Sequence, residues 1–397
     1  MGECTMSDLL ARFGVSPIIN GNGPVTRLSG GIMAAEVAAA MTAASQVTVD
    51  MWDLQAAACR VIARATGAEA GIVTSGASAA ILLGAAACLA GLDPGRMNRL
   101  PEVADNRQEF IVVRSQRNMY DRALAVAGGR IVEVGIPDRY SGPGVRDADV
   151  WEIADAITPR TAGIYFLAQP QSLPVLADVV AVARAAGVPV LVDAAAQLPP
   201  AGHLRRFLAE GADLVAFSGG KAIGGPQSSG ILAGRVDLVS SALMQMMDMD
   251  VAPTAFRAPA EFGVLNQMRG LPQHGIGRSC KIGKEEILSL LVALERFTGM
   301  DVATRRGAWC ALLQAVIDAA RLPDGRILAI SDDEVPLLII IDPAPSALQT
   351  RLAAHDPPIH VRHGGDRLLI SPLALAADAV SVIAQALSNQ PAKNRSS

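Results

Sequence analysis

The sequence predicts an α/β fold with a large, mostly parallel β-sheet domain and a smaller C-terminal α/β domain. Hydrophobic residues make up 51% of the 397-residue chain but aromatic residues only 4%, so aliphatic side chains must form the core. Alanine favours helix and β-branched residues favour strand, which suits a mixed fold. Continuous apolar segments also alternate with helical stretches from about residue 70 onwards. That alternation is typical of a parallel sheet covered on both faces.

The predicted elements fall into three groups. Residues 1–60 hold a glycine-dense loop at 19–31, either flexible or held by contacts with a site, and a helix at 32–44. The large domain has strands at 71–75, 110–113, 130–135, 163–168, 188–193 and 212–218, with a helix at 176–186. Beyond residue 280 come helices at 284–297, 303–319 and 374–387 and strands at 335–342 and 366–371.

These groups predict the domain organisation. We expect an N-terminal segment at 1–60 that contributes to the active site and the small domain. A large domain that holds the predicted sheet follows at 61–280, then a small domain at 281–390 and a disordered tail at 391–397.

Composition and charge exclude several classes of protein. The formal net charge of −4 argues against a nucleic-acid partner, which requires a strongly positive face. We expect no signal peptide and no membrane span, because the longest apolar stretch, 77–92, is short and interrupted by glycines. The cysteines predict neither disulfides nor a metal site, and fit a cytoplasmic protein; they are scattered at Cys4, Cys59, Cys88, Cys280 and Cys310.

Small and polar residues follow one predicted strand directly. Ser75, Gly76 and Ala77 lie between the strand at 71–75 and a helix, and such a turn lets backbone N–H groups approach an anion. A tight strand-to-helix turn with a serine cap explains the same residues.

Two further strand ends carry ionisable groups. Asp193 ends an apolar strand, where a carboxylate needs a partner such as a cationic ring nitrogen, although it could also cap the next helix. Lys221 lies in a glycine-rich turn after Ser218, and can be a solvated residue or a lysine held close to a cofactor. Because ligands bind at the carboxyl ends of parallel strands, we expect these residues to face one ligand.

The order of anion loop, aspartate and lysine resembles pyridoxal-phosphate enzymes of fold type I, the aspartate aminotransferase architecture. Within that fold the chain resembles the selenocysteine synthase-like group, which includes seryl-tRNA selenium transferases and glucosaminate-6-phosphate ammonia lyases. The resemblance covers residues 18–297 and is carried by INGNGPVTRLSGG, TSGASAA, QRNMYDRALAVAGGRIVEVG, DAAAQLPP, SGGKAIGGPQSSGIL and GRSCKIGKEEILSLLVALERF.

This resemblance implies a role for each matching residue. Ser75, Gly76 and Ala77 would hold the phosphate of pyridoxal 5'-phosphate, with help from Ser218. Asp193 would pair with the ring nitrogen, so that the ring acts as an electron sink. Gln197 would lie near the ring, and Lys221 would form the Schiff base and later act as general base.

The resemblance also implies substrate-binding residues and one departure. Arg362 resembles the carboxylate-binding arginine of the small domain, although it could be a surface residue. Arg278 and Lys281 are candidates for an acidic substrate or a neighbouring subunit's site, although they could also belong to a solvated helix start, and Thr26 is a candidate for contact with the substrate. Relatives commonly place a histidine over the ring where this chain has Gln116, which cannot transfer protons near neutral pH but could hydrogen-bond the cofactor or substrate.

We therefore expect a pyridoxal-phosphate-dependent lyase that catalyses α,β-elimination of ammonia or water from a small polar amino acid. An aldolase or racemase would use the same residues. Selenium transfer onto seryl-tRNA is disfavoured, because we expect no basic tRNA-binding domain ahead of the core. A non-catalytic ligand-binding paralogue is a further alternative, against which the joint presence of Asp193 and Lys221 argues. By resemblance we expect a homodimer or a larger homo-oligomer.

Overall fold

The computed structural model describes residues 6–103, 107–136 and 147–388. Cys4 and the predicted tail at 391–397 lie outside the described residues. The helices are α1 Met6–Arg12, α2 Ala35–Ala44, α3 Met51–Thr66, α4 Ala77–Ala90, α5 Pro94–Arg99, α6 Arg122–Val126, α7 Val150–Ala156, α8 Leu176–Ala185, α9 His203–Ala209, α10 Val236–Met246, α11 Lys284–Gly299, α12 Val302–Ala319, α13 Pro345–Ala353 and α14 Ala379–Ser388.

The strands are β1 Ile19–Asn20, β2 Ala70–Thr74, β3 Glu109–Val113, β4 Arg130–Val134, β5 Thr161–Leu167, β6 Val190–Asp193, β7 Leu214–Ser218, β8 Gly230–Gly234, β9 Ile327–Ile330, β10 Leu338–Ile341, β11 Ile359–His360, β12 Arg362–Gly364 and β13 Arg367–Ile370. Every strand predicted from the sequence is present, with ends that differ by up to three residues. The short strands β1, β9, β11 and β12 were not predicted, because two to four residues carry too little pattern.

A seven-stranded sheet forms the large domain, in the order β2-β8-β7-β6-β5-β3-β4. The β3–β4, β3–β5, β5–β6 and β6–β7 pairs are parallel, whereas β8 runs antiparallel to both β2 and β7. Strands β2, β3 and β8 are buried along their whole length, as their continuous apolar sequences predict. The predicted large, mostly parallel sheet is therefore confirmed.

Side chains of α3 form hydrogen bonds with backbone groups along the edge strand β2. The side-chain amide of Gln55 accepts a hydrogen bond from the N–H of Val73 at 3.0 Å and donates one to the Val73 carbonyl at 2.9 Å. The Cys59 sulfur accepts a further bond from the N–H of Gly71 at 3.4 Å. These bonds replace the partners that a neighbouring strand would give, and so protect an edge that could otherwise pair with another chain.

The chain divides into two compact units, Met33–Gly299 and Met1–Ile32 with Met300–Ser397. This division places α11 in the sheet unit, whereas the sequence boundary at 281 would assign it to the small domain. The reason is that Ile287, Leu290 and Leu294 of α11 are buried in the same apolar core as Ile62 of α3. Helix α2 likewise belongs to the sheet unit rather than to a separate N-terminal segment.

The second unit is built on an antiparallel sheet in the order β12-β13-β10-β9. Buried aliphatic side chains of α12, β10 and α14, among them Leu313, Leu338 and Ile383, form its core. In the described part of the chain, no helix combines the length and the apolar character that a bilayer span requires.

The glycine-dense loop at 19–31 is held by a single buried side chain of this second unit. The Nδ2 group of Asn20 donates to the carbonyls of Gly23 at 3.0 Å and Gly30 at 2.9 Å, and its Oδ1 accepts from the N–H of Asn22 at 3.1 Å. The loop is therefore held by its own asparagine, and its contact with a site stays a prediction.

Candidate active site

Strand pairing brings the three predicted strand ends to one edge of the large sheet. Gly230 at the start of β8 pairs with Thr74 at the end of β2 on one side and with Ser218 at the end of β7 on the other. Asp193 at the end of β6 pairs with Ala216 of β7. Neighbouring strands lie about 4.8 Å apart, so the anion loop, the lysine turn and the aspartate are close neighbours.

The anion loop leads directly into α4. Ser75, Gly76 and Ala77 are half-buried, and Gly76 adopts a φ of 128° that favours glycine. A Cβ at Gly230 would overlap the Gly76 carbonyl group, so two backbones meet here without side chains between them. The first-turn N–H groups of α4 have no partner within the helix and carry partial positive charge, which suits a phosphate group.

Asp193 is the buried carboxylate of this edge, with only 4% of its surface exposed. Its Oδ1 accepts a hydrogen bond from the N–H of Ala195 at 3.0 Å, and its Oδ2 accepts one from the Tyr165 hydroxyl at 2.8 Å. Burial raises the pKa of Asp193, while these two donors and the charge of Lys221 act in the opposite direction. The carboxylate therefore suits a cationic partner that would offset its loss of hydration.

Lys221 is half-buried in the turn that follows β7. Burial lowers its pKa, and the negative charge of Asp193 partly opposes that change. A lysine with a lowered pKa has more neutral amine near neutral pH, which is the form that attacks a carbonyl group. The sequence contains four lysines, and among the three that the structure describes Lys221 is the one that follows a strand at the carboxyl edge of the large sheet.

The glycines around Lys221 allow its turn to fold back on itself. Gly219 donates to the Ser229 carbonyl at 2.9 Å, and Gly225 donates to the Gly219 carbonyl at 2.9 Å. A Cβ at Gly219 would overlap both the Ser229 hydroxyl and Leu290 of α11. The sequence suggests that these glycines make room for a cofactor. At Gly219 and Gly225 the structure shows instead that they allow close packing of the turn.

Gln116 ends a 3-10 turn after β3 and is buried, with 2% exposure. Its Oε1 accepts a hydrogen bond from the N–H of Leu167 at 3.0 Å, and its Nε2 donates to the Leu173 carbonyl at 3.4 Å. Both ends of the amide are therefore engaged by backbone at the exit of β5. Gln116 holds that exit next to Asp193, because Leu167 pairs with Asp193.

Other candidates of the sheet unit line two separate cavities. Gln197 lines a cavity of about 560 Å³ at α8 and α9, and its carbonyl accepts a bond from His203 Nδ1 at 2.7 Å. Arg278 and Lys281 line another of about 390 Å³, and Arg278 is paired with Asp248 at 3.1 Å. Neither cavity is lined by Lys221 or Asp193. The structure thus groups Arg278 with Lys281 but does not place either in one cavity with the lysine–aspartate pair.

Two substrate candidates belong to the second unit. Arg362 begins β12 and is exposed, and within the described ranges its guanidinium forms no ion pair. Thr26 begins a 3-10 turn at Thr26–Leu28 and is also exposed. Both roles remain predictions.

Tyr165 contacts Asp193, and Asn118 acts on Tyr165 in turn; neither residue was predicted as part of the site. Tyr165 in the middle of β5 is 1% exposed and contacts the carboxylate directly. Asn118 lies within hydrogen-bonding reach of the Tyr165 hydroxyl. The available signal was a tyrosine in a strand buried on both faces, where its hydroxyl requires a polar partner.

Comparisons with known proteins identify the family and the fold of the chain. A sequence model described as SelA, L-seryl-tRNA selenium transferase, matches residues 28–250. A 5'-C-glycyluridine monooxygenase-decarboxylase from Streptomyces sp is 32% identical over 392 residues, covering 92% of this chain and 87% of that protein. A D-glucosaminate-6-phosphate ammonia lyase from Salmonella typhimurium is 29% identical, covering 82% and 79%. A solved D-glucosaminate-6-phosphate ammonia lyase superposes with a TM-score of 0.78 at 25% identity, covering 97% of this chain and 98% of that one.

Proposed function

Because the chain belongs to the L-seryl-tRNA selenium transferase (SelA) family, we propose that it is a pyridoxal-phosphate-dependent lyase that catalyses α,β-elimination on a small polar amino acid. The chain is an enzyme with the fold type I architecture that its sequence resembles. The observation that carries the proposal is the buried Asp193 beside Lys221, at the sheet edge where α4 begins.

The residues of this edge fit pyridoxal phosphate at three points. The glycine contact between β8 and the start of α4 leaves backbone N–H groups for the phosphate. Asp193 is a buried carboxylate that suits a protonated ring nitrogen. Lys221 supplies an amine whose pKa is lowered by burial. When bound, the cofactor supplies an electron sink for negative charge at the substrate's α-carbon.

The proposed mechanism assigns one task to each residue. The Lys221 amine would hold the cofactor, and the same Nζ atom, when free, would accept the α-proton of the substrate. Asp193 holds a proton at the ring nitrogen through its carboxylate. The β-substituent then leaves with its bonding electrons, and hydrolysis gives a keto acid and ammonia. Arg362 stays the candidate for the substrate carboxylate, because its exposed guanidinium offers a bidentate fork.

Two relatives support a small substrate rather than a charged tRNA. The ammonia lyase, by its name, acts on D-glucosaminate 6-phosphate, and the match covers 82% of this chain. The formal net charge of −4 does not favour binding of a polyanion.

The monooxygenase-decarboxylase relative, with 32% identity, supports oxidative decarboxylation as a second candidate reaction. We propose a homodimer or larger homo-oligomer on the family resemblance.

A substrate panel tests the reaction. Purified enzyme loaded with pyridoxal phosphate is incubated with D-glucosaminate 6-phosphate and with small hydroxy- and amino-substituted amino acids of both configurations. From at least one compound we expect a keto acid without oxygen uptake, with one ammonia per keto acid where water is eliminated and two where the β-substituent is an amine. Oxygen uptake with carbon dioxide release would instead support the decarboxylase, and inversion without ammonia would support a racemase.

The Lys221–Asp193 pair predicts a particular pH dependence of cofactor uptake. Burial lowers the pKa of Lys221, so the rate at which cofactor-free protein binds pyridoxal phosphate should rise with pH through an apparent pKa below that of an ordinary lysine. In Asp193→Asn this apparent pKa should fall further, because the carboxylate no longer stabilises the ammonium form. Stopped-flow absorbance measures both profiles. A higher apparent pKa in Asp193→Asn than in the wild type would contradict the predicted effect of Asp193 on Lys221.

A further inference from the structure

Tyr165 is a polar exception within an otherwise apolar strand. Its neighbours Ile164 and Phe166 are buried apolar side chains, and the tyrosine ring itself is 1% exposed. A phenylalanine would fill the same space without burying a hydroxyl group. The hydroxyl instead lies 2.8 Å from Oδ2 of Asp193 and donates to it. A buried tyrosine hydroxyl with a carboxylate partner is a strong, oriented hydrogen bond.

Tyr165 and the backbone divide the Asp193 carboxylate between them. The N–H of Ala195 donates to Oδ1 at 3.0 Å, while Tyr165 donates to Oδ2. Each oxygen therefore has one donor from the protein, and together the two donors fix the plane of the carboxylate. The remaining lone pairs are available for a ligand.

Asn118 also acts on the Tyr165 hydroxyl, where it opposes the rise in the pKa of Tyr165. The Oδ1 atom of Asn118 accepts from the N–H of Tyr120 at 2.7 Å, so its Nδ2 is the end that can donate toward Tyr165. The Tyr165 hydroxyl itself donates to Asp193. The Asn118 N–H donates to the buried Asp121 at 3.1 Å, and Arg117 is paired with the same carboxylate. The RNMYD segment thus forms one network behind Tyr165.

We propose that Tyr165 is a positioning residue which, held by Asn118, keeps the Asp193 carboxylate ionised and aimed at the cofactor ring nitrogen. This inference rests on the proposed function, because it assigns Asp193 to that nitrogen. It also gives the RNMYD segment, which carries part of the family resemblance, a physical role.

The charges around Asp193 support this role. Burial raises the pKa of Asp193, and Ala195, Tyr165 and Lys221 oppose the change. Removing the Tyr165 hydroxyl therefore raises the pKa of Asp193 further and increases its protonated, uncharged fraction. Burial and the nearby charges of Asp193 and Asp121 raise the pKa of Tyr165 itself, so it stays a donor over the working pH range.

A comparison of the binding of two aldehydes distinguishes a positioning role of Tyr165 from a role in packing alone. We compare the dissociation constants of pyridoxal phosphate and of 1-deazapyridoxal phosphate, in which carbon replaces the ring nitrogen, for the full-length protein. In Tyr165→Phe, pyridoxal phosphate should bind about tenfold more weakly, the equivalent of one charged hydrogen bond, and the deaza compound should change by less than about twofold. When Asp193→Asn is already present, adding Tyr165→Phe should change the dissociation constant of either aldehyde by less than about twofold.

Controls make each outcome decisive. Tyr120→Phe makes the same change at an exposed side chain and keeps the backbone N–H that bonds to Asn118, so it should leave both constants unchanged. Equal weakening of the two aldehydes in Tyr165→Phe would overturn the inference, as would additive losses with Asp193→Asn. Should Tyr165→Phe not fold, Asn118→Ala should show the same preferential loss for pyridoxal phosphate, and its absence would overturn the inference. Wild-type protein that binds neither aldehyde would overturn the proposed function itself.

Discussion

Replacing Lys221 with alanine is expected to abolish covalent attachment of pyridoxal phosphate. Borohydride reduction of the wild-type holoenzyme should fix about one cofactor per chain, because a lysine at the carboxyl edge of the sheet supplies the attacking amine. In Lys221→Ala the adduct and the visible absorbance of the bound cofactor should both disappear, and ammonia release should fall by at least about a thousandfold. Intact-mass measurement after reduction gives the stoichiometry.

The scarcity of lysine makes this experiment unusually sharp. Besides Lys221 the chain contains only Lys281, Lys284 and Lys393. Lys284 is paired with Glu285 at the start of α11 and offers a matched control, since Lys284→Ala should keep full labelling. Peptide mapping should place the adduct on the peptide that contains Lys221. Labelling at Lys281 or Lys284 in the wild type would mean that the anchor is assigned to the wrong residue.

The sequence predicted the strand-end cluster because its signals are local. Asp193 follows a continuous apolar run, and Lys221 follows another within a glycine-rich turn. The carboxyl ends of parallel strands meet at one edge whatever the details of packing, so strand position alone places these groups together. In the structure Asp193 pairs with Ala216, and Ser218 pairs with Gly230, so the ends of these strands do lie at one edge.

The partners of these groups could not be predicted, because they depend on contacts between distant segments. Tyr165 lies 28 residues before Asp193, and an aromatic residue in an apolar strand is most simply read as core. Gln116 was considered for contact with the ring, yet its amide is bound by the backbone at Leu167 and Leu173. A residue type states which bonds a side chain can form, and the fold decides which groups it meets.

The domain boundary predicted at residue 281 differs from the structure for a similar reason, because it depends on contacts between distant segments. The periodic apolar face of α11 predicted the helix correctly, but periodicity does not identify what the face packs against. That face is buried with Ile62 of α3 in the core of the sheet unit. Leu290 of the same helix also contacts the lysine turn, since a Cβ at Gly219 or Gly225 would press against it. Helix α11 therefore supports the turn that carries Lys221.

Replacing Asp193 with asparagine is expected to separate attachment of the cofactor from catalysis. Lys221 remains in place, so the borohydride-stable adduct should still form. Turnover should fall by about two to three orders of magnitude, because losing one partner of a buried charge pair costs about 3–5 kcal/mol and a neutral amide cannot balance a charged ring nitrogen. The measurements are the rate of ammonia release and the labelling stoichiometry of the same preparation.

An aspartate elsewhere on the large sheet tests whether burial beside Lys221 is what matters. Asp213 lies just before β7, where its carboxylate accepts a bond from the Val190 N–H at 2.8 Å and pairs with Arg235 at 3.0 Å. Asp213→Asn should cost some stability and leave turnover within about threefold, since it removes a partner of the chain and not of the cofactor. Comparable loss of turnover in both variants would show that the effect of Asp193→Asn comes from a weakened sheet. Loss confined to Asp193→Asn, with the adduct retained, assigns the carboxylate to the ring nitrogen.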